Sequence, residues 1–171
     1  MHPTRGSAPS AWRLAVMLCC LPVLAQARAL QPDCVDAAAR HHGVNARVLQ
    51  AVAWHESRWR ADAVAHNANG TTDHGAFQIN SVHLPELQQQ GIGTRELMDP
   101  CLSAYVGAWH LARQMRSLGN NWAAVGAYHS RTPARQRWYA NQIAGVLMQW
   151  RVIPVGPLPY RSADTLPPGS R

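Results

Sequence analysis

Between Pro32 and Trp150 apolar residues recur three and four positions apart, and alternating strand patterns are almost absent. That spacing restricts the chain to a compact, mainly α domain from about residue 30 to 151, with at most a short β element. Helix boundaries are marked by caps and prolines. Gln31-Pro32-Asp33 opens a first helix with Cys34, Val35, Ala38 and Ala39 inward, and Gly43 ends it. Asn45 caps a second, which runs through Val48, Leu49, Val52 and Ala53 to about Trp59. Residues 60–73, rich in turn formers, read as a surface loop, and His74 to Asn80 as either a brief strand or a helical turn packed beneath it. Ser81 to Gly93 holds a short helix with Pro85 near its start, and Thr94 caps a turn through Met98. Asp99-Pro100 opens the longest helix, in which Leu102, Val106, Trp109, Ala112 and Leu118 keep the period until Gly119-Asn120. Asn121 to Tyr128 forms another. Thr132-Pro133 opens the last, with Tyr139, Ile143, Val146, Leu147 and Trp150 on one face.

One carboxylate breaks this pattern. Glu56, in Ala-Trp-His-Glu-Ser-Arg-Trp, follows Leu49 and Val52 at helical spacing and so falls on the apolar face of the second helix. Burial disfavours an ionised carboxyl, so its pKa should be raised, which suits a general acid. By itself, such a residue is more often a helix-end acid paired with an arginine such as Arg58 or Arg60.

The ends of the chain differ from its middle. Arg5 and Arg13 precede an apolar run from Leu14 to Leu24, followed by two small-residue cleavage sites, Ala25-Gln26-Ala27 and Ala27-Arg28-Ala29. This is the pattern of a cleaved export signal over residues 1–29, too short to span a bilayer, and it implies a periplasmic protein without a stable membrane anchor. Residues 152–171 contain five prolines and read as a disordered tail. Removal of the signal leaves two cysteines, Cys34 and Cys101. In an oxidising compartment they should pair, closing a 67-residue loop worth roughly 4 kcal/mol in the chain-entropy model; two buried free thiols are the alternative. All sixteen basic residues are arginine, and the thirteen outside the signal face nine acids, a net charge of +4. That mild excess suits a carboxylate-bearing polymer such as cell wall. It lacks the concentrated basic stripe that nucleic-acid binding requires.

Three ordered segments then narrow the function. Glu56-Ser57-Arg58-Trp59, Gly75-Ala76-Phe77-Gln78-Ile79-Asn80 and Ala127-Tyr128-His129 resemble, in order and spacing, the three motifs of the soluble lytic transglycosylase domain, a lysozyme-like fold that cleaves peptidoglycan. With Asp99-Pro100-Cys101, the likeness is strongest to the small exported transglycosylases of type III and type IV secretion, conjugation and pilus systems, and it covers about residues 32–151. The resemblance implies that Glu56 is the catalytic acid, that Ser57 shapes the helix end, that Gln78 faces the glycan cleft and that Tyr128 approaches the carboxyl. Ala76-Phe77 stands where many members have Leu-Met. His129 replaces the usual asparagine while keeping donor and acceptor capacity. Asn67, in the loop after the catalytic helix, is a further candidate for contact with Glu56 or the substrate's N-acetyl group; a solvated loop residue is the plainer alternative.

The inventory of acids bears on mechanism. Most glycosidases use two carboxylates, but near Glu56 in sequence there are only Asp62 and Asp73, both in a polar loop and in no family motif. A single-acid route is therefore favoured, in which the substrate's N-acetyl group assists and the sugar's own 6-hydroxyl closes a 1,6-anhydro ring. A muramidase that uses water and a non-catalytic peptidoglycan-binding assembly factor are the rival readings. The implied partners are peptidoglycan glycan strands and components of an envelope-spanning secretion or pilus machine, met by a monomer without cofactor. Metal is not expected. The loop around Gly70 lacks both essential carboxylates of a calcium site, and His55-Glu56 does not continue as His-Glu-x-x-His. The tryptophans Trp54, Trp59, Trp109, Trp122, Trp138 and Trp150 offer stacking faces, but at helical spacing most belong to the core.

Overall fold

Among the described residues, four of the six α-helices carry a proline in their first turn, where the missing N–H costs nothing and the fixed φ already suits the helix. The computed structural model describes residues 30–167. The helices are α1 (Pro32–His42), α2 (Ala46–Ser57), α3 (Leu84–Gln88), α4 (Pro100–Leu118), α5 (Trp122–Ala127) and α6 (Pro133–Gln149), and three short strands, β1 (Val64–His66), β2 (Thr72–His74) and β3 (Ile79–Asn80), pair antiparallel in chain order. The expected caps are in place. Gly43 ends α1 at φ 68°, Asn45 accepts from the backbone of Arg47 and Val48, and Asp99 accepts from Cys101 and Leu102. Thr132 differs, since it precedes α6 without a side-chain cap.

α4 is the central helix. It packs against α1, α2 and α5, while α6 lies across α2 and α5. The core between them includes Leu49, Val52, Phe77, Leu97, Leu111, Tyr139, Ile143 and Leu147, each 2% exposed or less. Cys34 and Cys101 are bonded, joining the first turn of α1 to the first turn of α4.

The stretch read as a surface loop contains β1 and most of β2, and the segment after it completes β2 and turns into β3. Strands of two or three residues are too short to show an alternating pattern, which is why periodicity missed them. The proline-rich segment also departs from expectation. From Val152 to Pro167 it follows the surface of α6, where the Asn141 side chain donates to the carbonyl of Tyr160 at 2.8 Å and accepts from its N–H at 3.0 Å. Arg137 donates to the carbonyl of Asp164, and Leu166 N–H to the carbonyl of Ala134. Beyond a single 3-10 turn at Ser162–Asp164, prolines deprive this segment of regular structure, so helix side chains and backbone supply its partners. The expected signal, with Cys19 and Cys20, lies outside the described residues. Within them no helix is long and apolar enough to cross a membrane.

Candidate active site

The end of α2 sets the geometry. Leu49, Val52 and Ala53 are fully buried, and the helical period carries that face on to Glu56. The helix then stops abruptly, because Arg58 and Trp59 both adopt left-handed backbone, at φ 57° and 63°. The Arg58 guanidinium donates to the carbonyls of Trp54 and His55 in the last turn, the first of which also accepts from the Arg58 N–H. Ser57 points inward, and its hydroxyl donates to the carbonyl of Ala76 at 2.8 Å. The second motif is thereby fastened to the residue after the acid.

The loop 75–78 is held from several sides. Gly75 has φ 76°, and a Cβ there would lie 2.0 Å from the carbonyl oxygen of Leu97, so only glycine fits. The Phe77 ring fills the space left by Gly107 of α4, and the Phe77 carbonyl accepts from the Tyr128 hydroxyl at 2.8 Å. Gln78, at φ 47°, donates its side-chain amide to the carbonyls of Gly75 (2.9 Å) and Ala63 (3.2 Å). Its amide oxygen accepts no hydrogen bond from the described residues.

These constraints surround a cleft of about 510 Å³ lined by Glu56, Asn67, Gln78, Tyr128 and His129 together with Asp73, Asn80 and Arg135. All five residues singled out from the sequence as catalytic or substrate-binding therefore share one cavity. Their contacts are less uniform. Glu56 accepts at 2.5 Å not from Tyr128 but from Tyr139, a fully buried residue of α6. Tyr128 forms the layer behind. Its ring stacks on that of Tyr139, its hydroxyl is spent on Phe77, and its carbonyl meets Nε2 of His110 at 3.0 Å. The His129 ring lies parallel to Tyr139 at 5.0 Å between centroids.

Burial pushes the Glu56 carboxyl up to about 7; the Tyr139 hydrogen bond acts against this, and the negative charge of Asp73 adds to it. Tyr139 and Tyr128 are raised well above the ordinary phenol value, first by burial and then by the Glu56 charge, so both remain protonated donors. His55 is lowered to about 4 by burial, with Arg58 and His129 contributing. His129 is lowered by burial and by Arg135, against the opposing pull of Asp73. At neutral pH the cleft thus holds one carboxyl poised between its two forms, amid neutral imidazoles.

Asp73 is the second residue that the motifs did not reveal. β2 carries it opposite Asn80, and the two strands bring it to the cleft wall. Asn80 donates to one carboxylate oxygen at 2.6 Å and Asn67 to the other at 2.9 Å, while Thr71 Oγ1 accepts from both amides. Asn67 therefore orients Asp73 rather than reaching Glu56. Asp62 is exposed and takes no part in lining the cleft. None of the tryptophans among the described residues lines it either. No group of three or more His, Cys, Asp or Glu among the described residues is arranged to hold a metal ion.

A family model described as "Transglycosylase SLT domain" matches residues 33–145. Invasion protein IagB of Salmonella typhimurium is 39% identical over 105 residues, 61% of this chain and 66% of IagB, so the match spans just under two thirds of that relative. The X polypeptide of Escherichia coli is 34% identical over 139 residues, 77% of this chain and 80% of the relative. Protein IpgF of Shigella flexneri is 35% identical over 123 residues, 71% and 78% of the two chains. With the matched stretch running from the first turn of α1 into α6, across every element that builds the cleft, the chain belongs to the transglycosylase SLT domain family.

Proposed function

We propose that this protein is an exported lytic transglycosylase that cleaves the bond between N-acetylmuramic acid and N-acetylglucosamine in peptidoglycan, leaving 1,6-anhydro ends. The observation that carries the reading is Glu56, a carboxyl held near pKa 7 on the wall of a sugar-sized cleft. Protonated Glu56 gives its proton to the glycosidic oxygen as the bond from that oxygen to C1 breaks. The carbonyl oxygen of the substrate's N-acetyl group closes on C1 and takes up the positive charge, the substrate-assisted exception to two-carboxylate chemistry. Ionised Glu56, steadied by the Tyr139 hydroxyl, then removes the proton of the 6-hydroxyl. That oxygen attacks C1, the N-acetyl group is released, and the acid is restored without consumption of water.

Asp73 favours a second reading. A carboxylate fixed by two amides in the same cleft as a protonated Glu56 is the equipment of a muramidase, in which it stabilises the cationic sugar while water attacks. Mass analysis of products from purified peptidoglycan separates the two, because anhydro ends are one water lighter than reducing ends. Anhydro products from the mature protein and almost none from Glu56→Gln are expected. Reducing ends would favour the muramidase, and binding with no released fragments in either protein would leave only a wall-binding role. Likeness to an invasion protein supports local wall opening for a secretion, conjugation or pilus machine, with export to the periplasm through residues 1–29.

A further inference from the structure

Several arginines of this chain are occupied by its own fold. Arg58 and Arg60 donate to carbonyls at the end of α2, Arg113 pairs with Glu86 at 2.7 Å, and Arg137 holds the carbonyl of Asp164. Arg135, in the first turn of α6, lines the catalytic cleft and, among the described residues, is the one arginine with a buried polar atom left unpaired. Its Nε is buried with no hydrogen-bond partner, and among the described residues its guanidinium donates to no side chain or carbonyl and pairs with no carboxylate. Asp73, the acid of the same cleft, already has both oxygens taken by Asn67 and Asn80. A buried Nε left unpaired costs the fold, and the planar guanidinium it belongs to, beside a substrate cleft, is suited to a carboxylate from outside.

The substrate class of the Proposed function, on which this inference rests, limits where such a carboxylate can come from. The rings of the glycan are uncharged. The acidic groups of peptidoglycan lie in the peptide stem carried by the lactyl ether of each muramic residue. There the lactyl carboxyl is itself amidated, and the nearest free acid is the α-carboxylate of the glutamate that follows the first amino acid. We propose that Arg135 binds this stem carboxylate, so that the cleft reads the peptide as well as the sugar and prefers strands whose stems are acidic over strands whose stems are amidated. Opposite charges then lie in one cavity. Asp73 lies on one wall of it, while Arg135 takes the negative charge of the side branch and adds to the burial that lowers His129.

The test measures affinity for two glycan preparations, one with free glutamate α-carboxylates and one with the same positions amidated, in Glu56→Gln protein, which does not turn over. The free-acid strands should bind about tenfold tighter, the scale of a charge-assisted pair partly open to solvent. Adding Arg135→Gln should bring the ratio to about one, and Arg135→Lys should retain part of it. Equal affinities before any change at Arg135, or a tenfold ratio that persists after Arg135→Gln, would overturn the proposal. Product analysis with the Glu56 protein is scored separately, so absence of cleavage would sink the proposed reaction while the affinity ratio still decides the role of Arg135.

Discussion

Tyr139 and Glu56 lie 83 residues apart in sequence and meet hydroxyl to carboxyl at 2.5 Å, α6 supplying the donor and α2 the acid. Burial favours the neutral acid, whereas a phenol that donates to the carboxyl favours the ionised one, and Asp73 tips the balance back. Both forms of Glu56 are needed in turn if it acts first as acid and then as base. A pKa near 7 is where these opposed influences leave it.

Removing either influence should move the pH profile in opposite directions. Activity that requires protonated Glu56 falls above about pH 7, the value its carboxyl takes. Tyr139→Phe deletes the donor that favours the carboxylate, so the pKa and the alkaline limb should rise, with kcat down roughly tenfold for loss of a hydrogen bond to the ionised form. Asp73→Asn deletes a repelling charge, so the limb should move to lower pH. Profiles of kcat/KM from pH 5 to 9 measure both; shifts in the same direction would show that these residues do not set the acid's pKa.

The same acid should limit stability. Its folded pKa of about 7 lies above the ordinary carboxyl value of 4.5, so the folded state binds more protons between those values and stability declines as pH rises through that window. Below about pH 4 both states are protonated and nothing is lost. Glu56→Gln cannot ionise, and its amide oxygen still accepts from Tyr139. At pH 8 it should be more stable than the parent by on the order of 1–3 kcal/mol, reduced from the full linkage value because the carboxyl is partly open to the cleft. This corresponds to a melting point higher by several degrees. The advantage should vanish near pH 4, and an increment that is the same at both pH values would point to a cause other than ionisation.

Much of this arrangement could be read from the chain. Caps and prolines mark the ends of α1, α2, α4 and α6, because those signals act within a few residues of where they stand. Glu56 stood out because a charge on an apolar stripe violates the period that surrounds it. Tyr139 did not, since a tyrosine on the inner face of α6 looks the same whether its hydroxyl meets a carbonyl or a catalytic acid. Only the crossing of α6 over α2 tells them apart. Asp73 was visible as an acid, but its place depends on strands of two and three residues whose pairing no local pattern announces. Arg135 reads as one more solvated arginine until the fold buries its Nε, unpaired, at the cleft wall.

A glycine inside the central helix supports the site at a distance. A Cβ on Gly107 would come within 2.4 Å of the Phe77 ring, whose backbone carbonyl holds Tyr128. Gly107→Ala must push that ring, and with it the loop carrying Gln78, and should cost roughly 1–3 kcal/mol as overpacking of a filled core. Gly145 of α6 is the control, because nothing lies within 4 Å of the Cβ it would gain. There alanine should stabilise by up to about 1 kcal/mol through helix propensity alone. Phe77→Ala removes the obstructing ring, so the double variant Phe77→Ala/Gly107→Ala should lose less than the sum of its parts. Denaturant unfolding of the four variants gives all of these values. If alanine at 107 and alanine at 145 behave alike, the close fit of Phe77 on α4 is not what positions the loop.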